Sequence, residues 1–138
     1  MSPVPSLADD HAEIRNLLAA YCVLLDLDDM DGWIELFTDD AVYEVYGARG
    51  VGHDGIRTLL TGAPGGLHLG GPPMIDVAGD RAVTVRNLLF VDRADGSQRQ
   101  AVYDDELVRT PEGWRIARCR CRFHGPTGLV DRPPRASR

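Results

Sequence analysis

A chain of 138 residues with a net charge of −6 has room for one hydrophobic core and lacks the basic surplus of a general nucleic-acid binder. All fifteen of its basic residues are arginine, which excludes mechanisms built on a lysine Schiff base or a phosphate-loop lysine. Three cysteines, Cys22 alone and Cys119 with Cys121, make no disulfide framework. No apolar run approaches the roughly 20 residues of a membrane span. MSPVPSLADDHAEI has neither the basic start nor the apolar segment of a signal peptide. A cytoplasmic location is the expectation.

In chain order, residues 1–8 read as an N-terminal arm in which Ser6 and Asp9 resemble a capping box, with Asp replacing the usual Glu. Ile14, Leu17, Leu18, Tyr21, Cys22, Leu24 and Leu25 recur at helical spacing, which predicts a helix over residues 9–26. That helix ends at Asp26, where an apolar face gives way to the acidic run DLDDMDG. A carboxylate on such a rim is placed to act as a base. Asp31 is expected to cap a short helix carrying Trp33, Ile34, Leu36 and Phe37. AVYEVYG then reads as a strand, and Asp54 is expected to cap a third short helix with Ile56, Leu59 and Leu60.

The second half is β. TGAPGG is a loop, LHLGG a short strand, and PPMIDVAGD a strand ending in a turn. RAVTVRNLLFVDR and RQAVYDDELVRT flank ADGS, whose Asp95-Gly96 favours a hairpin. TPEG leads into WRIARCRCRFHG, and residues 125–138 read as a tail. Helices followed by strands joined through tight turns predict an α+β fold, one domain over 1–138, with the helices packed on an antiparallel sheet. In the last strand, alternation places Trp114, Ile116, Arg118, Arg120 and Arg122 on one face and Ala117, Cys119, Cys121 and Phe123 on the other. A bulge would decide which face looks inward.

The stretches EIRNLLAAY, DLDDMDGWIELFTDDAVYEV, HLGGPPMIDVAGDRA and DELVRTPEGWRIARCR cover roughly residues 9–122. On them the chain resembles the SnoaL-like group of the nuclear-transport-factor-2-like (NTF2-like) superfamily. The resemblance implies a cone: helices closing one side of a curved, mixed-edge sheet around an apolar pocket. It also implies site residues. Asp26 matches the catalytic aspartate of scytalone dehydratase and the bile-acid dehydratases. Tyr21 stands five residues earlier, at the bile-acid dehydratase spacing, and His68 in LHLGG matches a catalytic histidine. Positions five apart on a helix point about 140° from each other, so Tyr21 and Asp26 converge only if the helix ends near Leu25.

Arg120 and Arg122 lie near the position of a dehydratase arginine, and either could bind a carboxylate or thioester-linked substrate. Trp33, Tyr43, Asn87 and Tyr103 are further substrate-binding candidates, with core packing as the competing role for the aromatics. His11, His53 and His124 show no HxH or HExxH spacing, so neither metal nor cofactor is expected. The reading is a cofactor-independent dehydratase or isomerase acting on a hydroxylated carbonyl compound of polyketide, steroid or aromatic type. Its rivals are an aldol-type cyclase and a non-catalytic binder of apolar ligands or assembly module. Family members commonly pair through the outer sheet face, so a homodimer or larger homo-oligomer is expected by resemblance, with no nucleic-acid or membrane partner.

Overall fold

The computed structural model describes residues 4–134. Helix α1 (Leu7–Asp26) starts in the expected capping box: Ser6 Oγ accepts from Asp9 N at 3.1 Å, and Ser6 N donates to Asp9 Oδ2 at 3.1 Å. Its apolar stripe of Ile14, Leu17, Leu18, Tyr21 and Cys22 is buried, so the helical period of the sequence is the face that packs on the sheet. The chain leaves α1 through Asp28, held at a left-handed φ of 57°.

Helix α2 (Met30–Ile34) is capped by Asp29, not by Asp31. The Asp29 carboxylate accepts from Gly32 N at 2.9 Å, and a Cβ on Gly32 would stand 2.5 Å from that carboxylate. Asp31 instead receives Arg57 of α3 (Gly52–Leu60) at 2.8 Å. Asp54 does not cap α3 either. It lies in the first turn, and Val51 precedes the helix without a side-chain cap.

The sheet comprises β1 (Phe37–Val45), β2 (Ala48–Val51), β3 (Gly66–Gly70), β4 (Met74–Ala78), β5 (Arg81–Asp92), β6 (Gln98–Thr110), β7 (Gly113–Gly125) and β8 (Gly128–Val130). Its order is β2-β1-β7-β6-β5-β3, with β4 also on β5 and β8 also on β7. Strand β1 runs parallel to β7, while the other pairings are antiparallel, so the sheet is mixed. Two short strands, β2 and β8, fall in stretches that carried no strand pattern. β2 forms because Tyr46 and Gly47, at φ of 57° and 70°, make a two-residue turn with both residues left-handed. β8 pairs residues expected in the tail back onto Phe123, His124 and Gly125.

One irregularity sets the orientation of the last long strand. Leu107 of β6 faces Ile116 while Glu106 faces Arg118, so Ala117 is an extra residue, a β-bulge. The bulge reverses the alternation there. Trp114 and Ile116 point inward before it, and Cys119, Cys121 and Phe123 point inward after it. At the far end of α1, Arg109 of β6 grips both oxygens of Asp10, at 2.7 and 3.0 Å. Trp114 Nε1 donates to the same carboxylate at 3.1 Å, which ties the start of the helix to the sheet.

Strand β3 lies close against β5 at Gly66. A Cβ there would sit 2.1 Å from the Val91 carbonyl oxygen and 2.8 Å from the Phe90 ring. Gly66→Ala should therefore push β3 off β5 and lower stability by about 1–3 kcal/mol, the usual range for overpacking. Denaturant unfolding beside wild type checks this.

Candidate active site

The concave side of the sheet, the end of α1 and the α1–α2 turn enclose a cavity of about 300 Å³. All four tyrosines of the chain (Tyr21, Tyr43, Tyr46 and Tyr103) line it, alongside Asp28, Asp29, His68 and Arg99. Tyr21 comes from the buried face of α1 and Tyr43 from β1. Their hydroxyls share a hydrogen bond of 2.5 Å at the inner end. Burial raises the pKa of Tyr21, Tyr43 and Tyr103 well above the ordinary phenol value, so all three are neutral hydrogen-bonding groups at physiological pH.

Behind the tyrosines lies a buried ion pair. Arg86 of β5 sits under the Tyr21 ring, 4.4 Å from its centroid, and 5.0 Å from that of Tyr103. Its Nε donates to Asp105 Oδ2 at 3.2 Å, and Thr84 Oγ1 donates to the same oxygen at 3.2 Å. Burial opposes the arginine's charge, but the Asp105 carboxylate more than offsets this and raises the pKa. This fixed charge beneath the aromatic faces helps position Tyr21 and Tyr103 through cation–π contact.

At the outer end stands the carboxylate–imidazole pair. Asp26, the last residue of α1, reaches across to β3. Its Oδ1 accepts from the His68 backbone N–H at 2.9 Å and lies 2.8 Å from His68 Nδ1. The backbone contact fixes the carboxylate beside the ring, and the pair is largely buried. With Nδ1 as donor to Asp26, the tautomer leaves Nε2 as the acceptor, and Nε2 has no protein partner among the described residues. The imidazole lines the cavity and packs on Phe90, 4.9 Å between centroids.

The candidates thus fall into two groups. Tyr21, His68, Tyr43 and Tyr103 line the cavity, and Asp26 stands directly behind His68. Tyr21 and Asp26 do not meet: α1 stays helical through Asp26, so the phenol turns to Tyr43 and the carboxylate to His68. Trp33 is fully buried behind the wall, packed edge-on to Tyr21 at 5.3 Å. Asn87 is exposed on the opposite face of β5. Arg120 and Arg122 also lie outside the cavity. The Ala117 bulge turns both to the outer face, where Arg120 lies 4.0 Å from Glu44 and Arg122 donates to Asp104 at 2.6 Å.

Several cavity residues went unsingled in the sequence: Phe90, Arg99, Cys121 and Phe123. Arg99 has the same strand phase as Tyr103, two alternations earlier, and that period could have found it. The three cysteines are free and buried. Burial pushes the Cys121 thiol, which lines the cavity, up to about 11.

The SnoaL-like domain family matches residues 6–120, and the chain belongs to that family. An uncharacterized protein of Mycobacterium tuberculosis is 36% identical over 123 residues, covering 79% of this chain and 82% of the relative. An NTF2-like protein with a cystatin-like fold from Novosphingobium aromaticivorans is 29% identical and superposes with a TM-score of 0.73, over 86% of this chain and 90% of that one. A hexachlorocyclohexane dehydrochlorinase of Novosphingobium barchaimii, 19% identical, shares the fold with a TM-score of 0.73 over 89% and 88% of the two chains. The fold expected by resemblance is therefore the fold found. No described helix is long and apolar enough to cross a membrane.

The buried phenols have a consequence at alkaline pH. In the unfolded chain they ionise near ~10, and in the folded protein only well above that value, so folding opposes their ionisation. Stability should hold below the ordinary phenol pKa and fall as pH rises past it. Phenolate absorbance recorded with circular dichroism should show Tyr21, Tyr43 and Tyr103 ionising together with loss of structure rather than before it.

Proposed function

We propose that this SnoaL-like protein is a small lyase of the dehydratase type, acting on a hydroxylated carbonyl compound with an apolar or aromatic body. The observation that carries the reading is the Asp26–His68 pair, 2.8 Å apart, with its imidazole on the wall of a cavity that also holds the Tyr21–Tyr43 hydroxyls. Beyond tying α1 to β3, the pair leaves Nε2 of an oriented imidazole without a protein partner among the described residues, which a binder of apolar ligands alone would not use. Bases and oxyanion donors in one cavity are what proton removal next to a carbonyl requires. The shared fold of the dehydrochlorinase, whose name denotes an elimination, agrees with this class.

In the proposed reaction His68 Nε2 takes the proton α to the carbonyl, and the C–H electrons form an enolate. Asp26 accepts the Nδ1–H bond and stabilises the imidazolium. The Tyr21–Tyr43 pair donates to the enolate oxygen. The imidazolium then returns its proton to the β-hydroxyl as the C–O bond breaks, so a carbon–carbon double bond forms and water leaves. An isomerase would share the first half and return the proton to carbon instead.

A positioned acid–base group contributes roughly 10²–10⁴-fold and an oxyanion donor about 10²–10³-fold. His68→Ala and Asp26→Asn should each lose at least about a hundredfold in turnover. Tyr21→Phe should lose less, because Tyr43 stays to donate. Asp26 and His68 act as one unit, so the double variant should be little worse than either single one. Steady-state rates on a panel of β-hydroxy ketones test this, with thermal melting of each variant and product mass to separate loss of water from isomerisation. Near-wild-type turnover in His68→Ala would end the assignment.

A further inference from the structure

Arg99 is the one arginine that lines the cavity, and its place in the sheet specifies what it faces. In the strand register His68 of β3 lies opposite Phe90 of β5, and Phe90 lies opposite Arg99 of β6. The three side chains form a row on the concave face: the imidazole packs on the Phe90 ring at 4.9 Å, and the Arg99 guanidinium lies 5.8 Å from the same ring's centroid. Neighbouring strands are separated by about 4.8 Å, so the backbones of His68 and Arg99 stand about 10 Å apart with one aromatic face between them.

Arg99 is held in place without being neutralised. Its Nη1 donates to Tyr46 Oη at 2.8 Å, and among the described residues it makes no ion pair. Tyr46 reaches that position because it occupies a left-handed turn site at φ 57°, unusual for so large a residue, with its ring stacked on Phe123 at 5.5 Å. Two acids, Asp28 and Asp29, line the cavity as well. Asp28 receives Arg93, Asp29 caps α2, and Asp95 accepts from Ser97 N. A guanidinium keeps several N–H donors in a planar fork, and beside apolar walls that fork favours a carboxylate.

We infer that Arg99 is a specificity-determining residue: the substrate carries a carboxylate that Arg99 binds, and its flat apolar body lies along Phe90 with the acidic C–H toward His68. This rests on the reading of the cavity as a substrate site and narrows the substrate to an aromatic or alicyclic carboxylate about one fused-ring length across.

A binding test separates this inference from the proposed reaction. Isothermal titration calorimetry at neutral pH compares 2-naphthoate with the neutral 2-acetylnaphthalene on wild type, Arg99→Met and His68→Ala. The ratio of the two affinities should shift against naphthoate by at least about tenfold in Arg99→Met, the usual scale for losing a charge-assisted hydrogen bond. The ketone's own affinity should stay within about twofold, and His68→Ala should keep the wild-type ratio whether or not the proposed elimination occurs. Arg99→Gln replaces Arg99→Met if the latter shows no cooperative melting. An unchanged ratio, equal weakening of both ligands, or no binding of naphthoate to wild type would overturn the inference.

Discussion

The structure depends on how a single helix is fastened across the hollow of a curved sheet. An amphipathic helix packed by its apolar stripe alone can slide or rotate, because dispersion and hydrophobic burial are not directional. Here two carboxylates remove that freedom. Asp10, near the start of α1, is gripped by Arg109 and Trp114, and Asp26, at its last residue, accepts from the backbone and ring of His68. The distance between these two anchors sets where Tyr21 falls, and so where its hydroxyl meets that of Tyr43. Asp26 is thus both a fastening of the fold and the orienting partner of the proposed base.

The sheet contributes its own constraint through Ala117. Without that one extra residue β7 would carry Arg118, Arg120 and Arg122 toward the helix and expose Cys119, Cys121 and Phe123. With it, the three arginines lie on the outer face, and Cys121 and Phe123 join the cavity wall. The arginines left inside are correspondingly few. Arg86 is matched by Asp105 beneath the tyrosine rings, and Arg99 stands at the other side of the cavity against Tyr46. Tyr46 in turn is carried by a turn whose left-handed backbone most large residues avoid.

Much of this was legible in the residues, for reasons that differ by element. The long helix shows because its apolar period persists from Ile14 to Leu25, and the two longest hairpins show because Asp95-Gly96 and Glu112-Gly113 punctuate them. Caps were harder to read. In DLDDMDG several aspartates could close the short helix, and the choice of Asp29 rests on its contact with Gly32 N, which no local pattern marks. Asp26 and His68 lie 42 positions apart, and their pairing was visible only through family resemblance, since no local pattern links them. The bulge left no mark: Ala117 is neither glycine nor proline, so strict alternation misassigned the arginines beside it. Arg99 shares the strand phase of Tyr103, but its place beside Phe90 comes only from the register of three strands.

Under the proposed dehydration, the burial of Cys121 acquires a chemical meaning. Removing water from a β-hydroxy carbonyl compound yields a conjugated enone, an electrophile to which thiolates add readily. Cys121 lies on the cavity wall, where such a product would form. Its apolar surroundings push the thiol up to about 11, so at neutral pH almost none of it is thiolate, the nucleophilic form. The environment that makes the wall apolar also keeps its sulfur protonated, which under the proposed dehydration would shield the protein from alkylation by its own product.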